Sequence, residues 1–470
     1  MFEKINDKEL TSQSQLKRFS EKWNADPDFK KQVSKDPAQA VCRYNLKINS
    51  EEIRRLLNEY ASQNGEQDSI SPIGTLEQIF SEESDKDISL AALPKDFRFK
   101  AWRERQIARN ESLYKKCYQD QIIHAPFAVE LSKGCSVGCW FCGVSAPRLS
   151  DLFLYTPENA KLWLEVLELL KEILGSSAGA GFCYWATDPL DNPDYEKFCS
   201  DFHEILGRFP QTTTALALKN PERTRSLLKL SREKGRYLDR FSVISLKILN
   251  QIHEEFTAEE LAFVILALQN PESEQIIKAN TGRLRERNQK QIQKKAELSE
   301  KLSQEEDSSN PGTIACVTGF LFNMVDRTVK LISPCRANDR WPLGYIIFDQ
   351  GTFADIHDLR ATLERMLNEH MSPTVRSNDL IRFRSDLQYE KLADGFQLST
   401  RIITRKFRHQ NYLRELGEAI RQGDKTSAEI VGLFNLFGVP SEKTFQALNL
   451  LLASGCLDEE PTQKTLAYAR

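Results

Sequence analysis

No stretch of this 470-residue sequence approaches the ~18 consecutive apolar residues that a membrane helix needs. Its amino terminus, MFEKINDKEL, is polar and contains acids, so it lacks the apolar centre of a secretory signal. Excess positive charge is missing too. The 64 Lys and Arg against 67 Asp and Glu leave a net charge of −3, which gives no global reason to expect nucleic acid as a partner. Internal repeats and low-complexity tracts are absent, and 40% hydrophobic with 28% charged residues is the balance of an ordinary globular chain. Cysteine is sparse, at ten residues, and without an export signal these are not expected to form a disulfide framework. The expected setting is cytoplasmic, with no membrane and no nucleic acid. The length exceeds what one compact core usually holds, so two or three domains are expected.

From Leu16 to Leu57 the pattern is helical, with DPDFKKQV, DPAQAVCRY and NSEEIRRLL each opening on capping residues or an early proline. SQNGEQDSISP (62–72) reads as a linker, and a charged helical run over 95–116 follows. The period then changes. Six short β-type runs are expected at 125–132, 180–186, 212–218, 241–246, 274–280 and 313–322. Amphipathic segments separate them, among them TAEELAFVILALQ, which opens with Thr257 and Glu260 at capping-box spacing. Strands alternating with helices imply a parallel α/β layer or partial barrel. Residues 283–310 are nearly all polar and suggest an exposed helix, a loop or a lid. The last ninety residues read as strands followed by three helices, a small winged-helix-like module. The expected division is a helical region over 1–95, the α/β region over 96–372 and the terminal module over 380–470.

Seven of the ten cysteines are scattered, and three fall within eight residues of ELSKGCSVGCWFCGVSAPRLS. Thiolates ligate iron-sulfur clusters, and a four-iron cubane normally takes four. Cys135, Cys139 and Cys142, with no fourth cysteine nearby, would leave one iron open. Glycines at 134, 138 and 143 let the backbone wrap closely, and the loop follows the first strand, at the end of the sheet where α/β folds keep their chemistry. The competing readings are a zinc site, which lacks its second pair of ligands here, or three free thiols.

CxxxCxxC with Phe141 before the last cysteine resembles the radical S-adenosylmethionine (SAM) superfamily. The resemblance implies a partial (β/α)6 barrel, one 4Fe-4S cluster on Cys135, Cys139 and Cys142, and SAM bound at the open iron. It also implies reductive cleavage to a 5′-deoxyadenosyl radical that abstracts hydrogen, with the electron supplied by an external carrier such as flavodoxin or ferredoxin. The glycine-rich SAM-binding pattern of the superfamily is replaced by YWATDPLDNPDY, which makes Thr187 and Asp188 the candidates there, against a plain strand-to-helix turn. Ser242 and Ser245 are candidates for the ribose or carboxylate, against simple packing. Lys219 and Arg283 are further candidates, against ordinary surface charge.

No second cysteine-rich block follows, which counts against auxiliary clusters. The terminal module resembles the recognition element that grips leader peptides of ribosomally synthesised, post-translationally modified peptides (RiPPs), with DNA binding as the alternative. The segment KRFSEKWNADPDFKKQVSKDPAQAVCRYNLKINSEEIRRLL resembles nitrile-hydratase-like leaders of such precursors, or is a helical cap. With LISPCRANDRWPLGYIIF and GRLRER, the whole chain resembles radical SAM peptide epimerases of proteusin maturation. That resemblance implies conversion of L- to D-residues in a RiPP precursor, whose leader the terminal module would bind. Inversion needs a hydrogen returned to the opposite face of the α-carbon, and a thiol suits this. Cys42 and Cys117 precede the barrel, Cys456 reads as a core thiol, and Cys183 and Cys316 lie in strands. Cys335 follows a strand amid Arg336, Asn338, Asp339, Arg340 and Trp341 and is the expected donor, with Cys316 next. Arg336, Asp339 and Arg340 could orient the peptide or pair locally. The alternatives are a radical SAM crosslinking maturase, forming thioether or C–C bonds, and an iron-sulfur regulator that binds DNA.

Overall fold

The computed structural model describes residues 6–44, 46–49, 51–55, 57, 75–119, 122–273, 279–296 and 312–461. The linker expected over 62–72, residues 274–278 of an expected strand, the polar segment past 296 and the Cys117 side chain lie outside the described residues.

The architecture is mixed α/β. Strands β1 (Ala125–Glu130), β7 (Val317–Asn323), β8 (Thr328–Pro334) and β9 (Tyr345–Thr352) form one sheet in the order β1-β7-β8-β9. β7 runs parallel to β1, and β8 and β9 continue antiparallel. A second sheet, wholly parallel, joins β4 (Thr213–Thr214), β5 (Asp239–Val243) and β6 (Val264–Leu268). A short antiparallel pair, β2 (Ser132–Lys133) with β3 (Asp151–Leu152), closes the base of the cysteine loop. The main core packs helices Phe97–Glu111, Pro157–Leu174, Tyr195–Leu206 and Ile356–His370 against the sheet through Trp102, Trp163, Phe198, Phe320 and Phe348.

The six-strand expectation needs correction in three places. Residues 180–186 form no strand, only a single parallel bridge between Phe182 and Ala128. A side chain takes the place of the ladder there, because the Ala186 N–H donates to the Glu130 carboxylate at 2.8 Å. β4 stops after two residues for the same reason: Asp188 accepts from the Thr214 hydroxyl (2.7 Å) and the Ala215 N–H (2.7 Å). Residues 257–269 are not a helix. The capping-box bonds of Thr257 and Glu260 form (2.7 and 3.1 Å), but they cap only a turn. The β-branched and aliphatic run VILAL then enters the sheet as β6. The last expected strand, β7, lies against β1.

At the amino end, helices Asp7–Ala25, Pro27–Lys35 and Pro37–Arg43 form as the sequence reads, with Asp26 and Asp36 capping the second and third and proline at N1. They share a core of Phe19, Trp23, Phe29, Val33 and Ile53. They dock on the β4–β6 half, where Lys22 reaches Asn250 (2.6 Å) and Asn270 donates to the Ala25 carbonyl (2.9 Å). Helix Thr75–Ala91 also packs here and was not legible in the sequence. At the carboxyl end, β10 (Gln388–Leu392), β11 (Gly395–Ser399) and β12 (Thr404–Arg408) form an antiparallel sheet. It lies under helices Leu413–Gln422, Ser427–Leu436 and Ser441–Ala453, with a separate core around Phe396, Leu416, Ile430 and Leu448. Among the described residues no helix is long and apolar enough to cross a membrane.

Candidate active site

The cysteine loop leaves the carboxyl end of β1. Gly134 has φ +85°, and a Cβ there would stand 2.4 Å from the Arg148 carbonyl oxygen, so only glycine allows the close crossing. The crossing lets the Cys135 N–H donate to the Pro147 carbonyl (2.9 Å). The three thiols are half-buried. Burial pushes the Cys139 thiol up to about 11, with Cys142 and Cys135 beside it adding to the effect. Burial likewise raises Cys135, opposed by the backbone N–H groups of Val137 and Gly138. The Ala146 N–H points at the Cys142 sulfur at 3.3 Å. N–H groups aimed at sulfur favour the thiolate, the form that binds iron.

Three neighbours hold the loop. Asp191 accepts from the Ser136 N–H (2.9 Å) and hydroxyl (2.6 Å). Asn192 donates to the Leu131 and Phe153 carbonyls, both at 2.8 Å, tying together the two ends of the loop. On the other side, helix Gly282–Ala296 begins against Cys142 and Gly143. Gly282, at φ +51°, would place a Cβ 2.5 Å from the Gly143 carbonyl oxygen. Arg283 donates its backbone N–H to the Cys142 carbonyl (3.0 Å), and its guanidinium to the carbonyls of Cys139 (3.0 Å) and Ala146. Arg287 lies over the Trp140 ring, 4.7 Å from its centre. Arg283, weighed in the sequence as a SAM contact or a surface charge, is thus a clamp on the cysteine turn.

The donor set fits an iron-sulfur cube better than zinc. Four ligands on zinc would sit about 4 Å apart. Among the described residues, the trio with ligand atoms all within 4.8 Å of one another is Asp349, Glu369 and His370, and Arg365 already neutralises it by pairing with Asp349 and Glu369. The cysteine trio supplies three thiols and no paired second set, the donor set of a cube with one open iron. Beside them the buried hydroxyl oxygens of Ser145 and Thr281 have no hydrogen-bond partner.

The other expected site residues have mixed surroundings. Phe141 sets its ring edge-on to Trp140 at 5.4 Å. Asp188 is buried and accepts three hydrogen bonds, from Thr214, Ala215 and the Leu190 N–H (3.1 Å); burial pushes it up to about 6. Ser245 is the N-cap of helix Leu246–Glu255, accepting from the Ile248 N–H. Thr187 and Ser242, both half-buried, make no side-chain hydrogen bond among the described residues. Lys219 reaches Asp191 at 3.7 Å from an exposed position. Asp191, Asn192 and Glu130 were missed. Glu130 ends β1 and bridges Ala186 to Asn323 (2.9 Å). The Asp and Asn residues of DPLDNPDY were the available signal, but their partners are distant in sequence.

Cys335 directly follows β8, which runs antiparallel to β7. It therefore stands level with the amino end of β1, and Thr281 lies between its turn at Gly344 and the loop at Gly143. Its N–H donates to the Gly344 carbonyl (2.9 Å), and its side chain is only 2% exposed. Burial pushes the thiol up to about 12, with Arg109, Glu460 and Asp386 nearby. Cys316 faces a cavity of about 140 Å³ shared with Tyr184, Gln211 and Arg240. Asp339 pairs with Arg285 (2.8 Å), Arg340 lies over the Trp341 ring (5.0 Å), and the Arg336 stem packs on Gly312.

No protein-family model matches the sequence. The chain is 39% identical over 369 residues to an uncharacterized protein, y4wI, of Sinorhizobium fredii, covering 77% of this chain and 69% of that protein. It belongs to the family of that protein. Among solved structures, BtrN in complex with AdoMet and 2-DOIA overlaps 30% of this chain and 55% of its own, at 17% identity and a TM-score of 0.23. An overlap of that size bears on neither fold nor chemistry.

Proposed function

We propose that this chain is a radical SAM enzyme that epimerises residues of a ribosomally made peptide. The observation that carries the reading is the three-thiol loop at the carboxyl end of β1, with backbone N–H groups aimed at its sulfurs. Cys135, Cys139 and Cys142 would hold one 4Fe-4S cluster, and Phe141, Thr187, Asp188, Ser242 and Ser245 would face SAM. When bound, that pair supplies a carbon radical able to take a hydrogen atom from a peptide α-carbon.

The chain's own residues do the rest. Arg283, Asp191 and Asn192 fix the loop. Thr187 and Ser242 have uncommitted hydroxyls for a nucleoside, whereas Asp188 and Ser245 act first on their own backbone. Cys335 supports the return step because burial keeps its sulfur protonated, and only S–H can give up hydrogen. Cys316 is the second candidate. In the terminal module β12 is an edge strand. Beside it a groove of about 430 Å³ is lined by Lys406, Phe407, Arg408, Lys443 and Leu450. An extended acidic leader could add there as a fourth strand. The electron would come from an external one-electron carrier protein.

The test is anaerobic. Protein with about four iron and four sulfide per chain should release methionine from SAM under dithionite. With a peptide in deuterated water, each inverted α-carbon should gain one deuterium, because a thiol exchanges with solvent. Iron-free protein would sink the reading. Loss of two hydrogens without deuterium uptake would turn it into crosslinking.

A further inference from the structure

We propose that the acidic segment Asp458–Pro461 is a releasable strap over Cys335, resting in a carboxylate-binding site that serves an acidic side chain of the peptide substrate. The segment follows the terminal module. The Asp458 N–H donates to the Arg382 carbonyl (2.9 Å), and past that point no backbone–backbone hydrogen bond holds it among the described residues. Side chains hold it instead. Glu459 accepts from Arg105 (2.8 Å) and Gln106 (3.0 Å). Glu460 accepts from Arg109, from the Trp341 indole N–H (2.9 Å) and from Arg340 (3.4 Å), and Arg340 also caps the Pro461 carbonyl.

The same groups meet the turn that carries Cys335: Gly344, which accepts from the Cys335 N–H, donates to the Trp341 carbonyl (3.0 Å), and Trp341 holds Glu460. Trp341 shares its core, and Arg109 and Glu460 are its charged neighbours. The corner also has unmet bonding capacity: the Tyr114 hydroxyl and the Arg109 Nε are buried without partners. Three guanidiniums, an indole N–H and an amide converging on two carboxylates are a built site, not a scatter of surface pairs. A thiol that is 2% exposed cannot reach a peptide, so a working donor needs this cover to move. Release breaks the buried Arg105–Glu459 and Arg109–Glu460 pairs but no backbone ladder, so an incoming carboxylate that takes over those donors offsets its cost.

The functional weight of the strap rests on Cys335 as donor, but its test needs neither cluster nor SAM. Protein as purified is treated with iodoacetamide, and labelling of Cys335 and of Cys199, a thiol buried elsewhere in the core, is followed by peptide mass spectrometry. Glu459→Gln with Glu460→Gln should speed Cys335 labelling by about tenfold or more and leave Cys199 protected, as loss of buried local ion pairs predicts. Acetyl-Glu-Glu-amide should slow labelling of the double variant toward the wild-type rate, and acetyl-Gln-Gln-amide should not. Unchanged Cys335 labelling, or Cys335 and Cys199 rising together, would overturn the strap. Indifference to the glutamate peptide would overturn the carboxylate site.

Discussion

The cysteine loop and the Cys335 corner both raise their thiols by burial, Cys139 to about 11 and Cys335 to about 12, but differ in what faces the sulfur. At the loop the thiols are half-exposed, crowd one another and face backbone N–H groups, with Ala146 at 3.3 Å from the Cys142 sulfur. At the corner the sulfur sits in an aromatic core beside Trp341, and burial raises it to about 12. Donors aimed at sulfur lower the cost of the anion, whereas desolvation raises it. The loop therefore offers donors that a thiolate can use once iron is bound, and the corner offers none and suits a thiol that keeps its hydrogen. Crowding alone works against the loop, since each thiolate penalises the next. A polycation is the natural remedy, and an iron cube supplies one.

The largest effect expected from this contrast comes from exchanging the roles. Cys139→Ala should abolish the cluster and SAM cleavage, read as loss of visible absorbance and of methionine release. Cys335→Ala should keep both and lose D-residue formation. If Cys335→Ala also emptied the protein of iron, the two environments would not be separate. A smaller effect is expected one step outward. Arg283→Ala removes two guanidinium bonds to the loop carbonyls. Outer partners of metal ligands are worth about 10–100-fold in affinity, so iron retention against a chelator should fall by that order. Arg283→Lys, which can reach one carbonyl at a time, should recover part of it. Normal iron retention in Arg283→Ala would show that the clamp is incidental.

Local features of this molecule were legible where neighbours in sequence decide them. Asp26, Asp36 and the following prolines start helices in place, and the cysteine spacing with Gly134 marks a tight loop. Where a distant side chain replaces a backbone partner, pattern failed. Residues 180–186 look like a strand but lose their ladder to Glu130, and Asp188 ends β4 from 26 residues away. VILAL followed a true capping box yet became β6, because the box closed a single turn and β-branched residues fit the parallel sheet. Arg283 looked like any surface arginine, since its acceptors are main-chain carbonyls more than 130 residues earlier. The seal over Cys335 depends likewise on a pairing across the whole chain, Arg109 with Glu460.

A last effect sharpens the contrast from the buried side. His124 enters β1 on the edge opposite the cysteine loop, with Nδ1 bonded to the Thr318 hydroxyl at 2.7 Å and its carbonyl held by Arg103. Burial, with Arg103 adding, pulls its pKa from 6.5 to about 3. The folded chain therefore keeps this ring neutral, while the unfolded chain takes up a proton below pH 6.5. The unfolded state binds more protons in that window, so stability falls as pH drops from about 6.5 toward 3. One such group should cost about 2 kcal/mol between pH 7 and pH 5, read as a lower urea midpoint. His124→Gln, which can still bond Thr318 but does not titrate, should flatten that slope. An equal slope in wild type and variant would mean that the amino end of β1 admits water and protons.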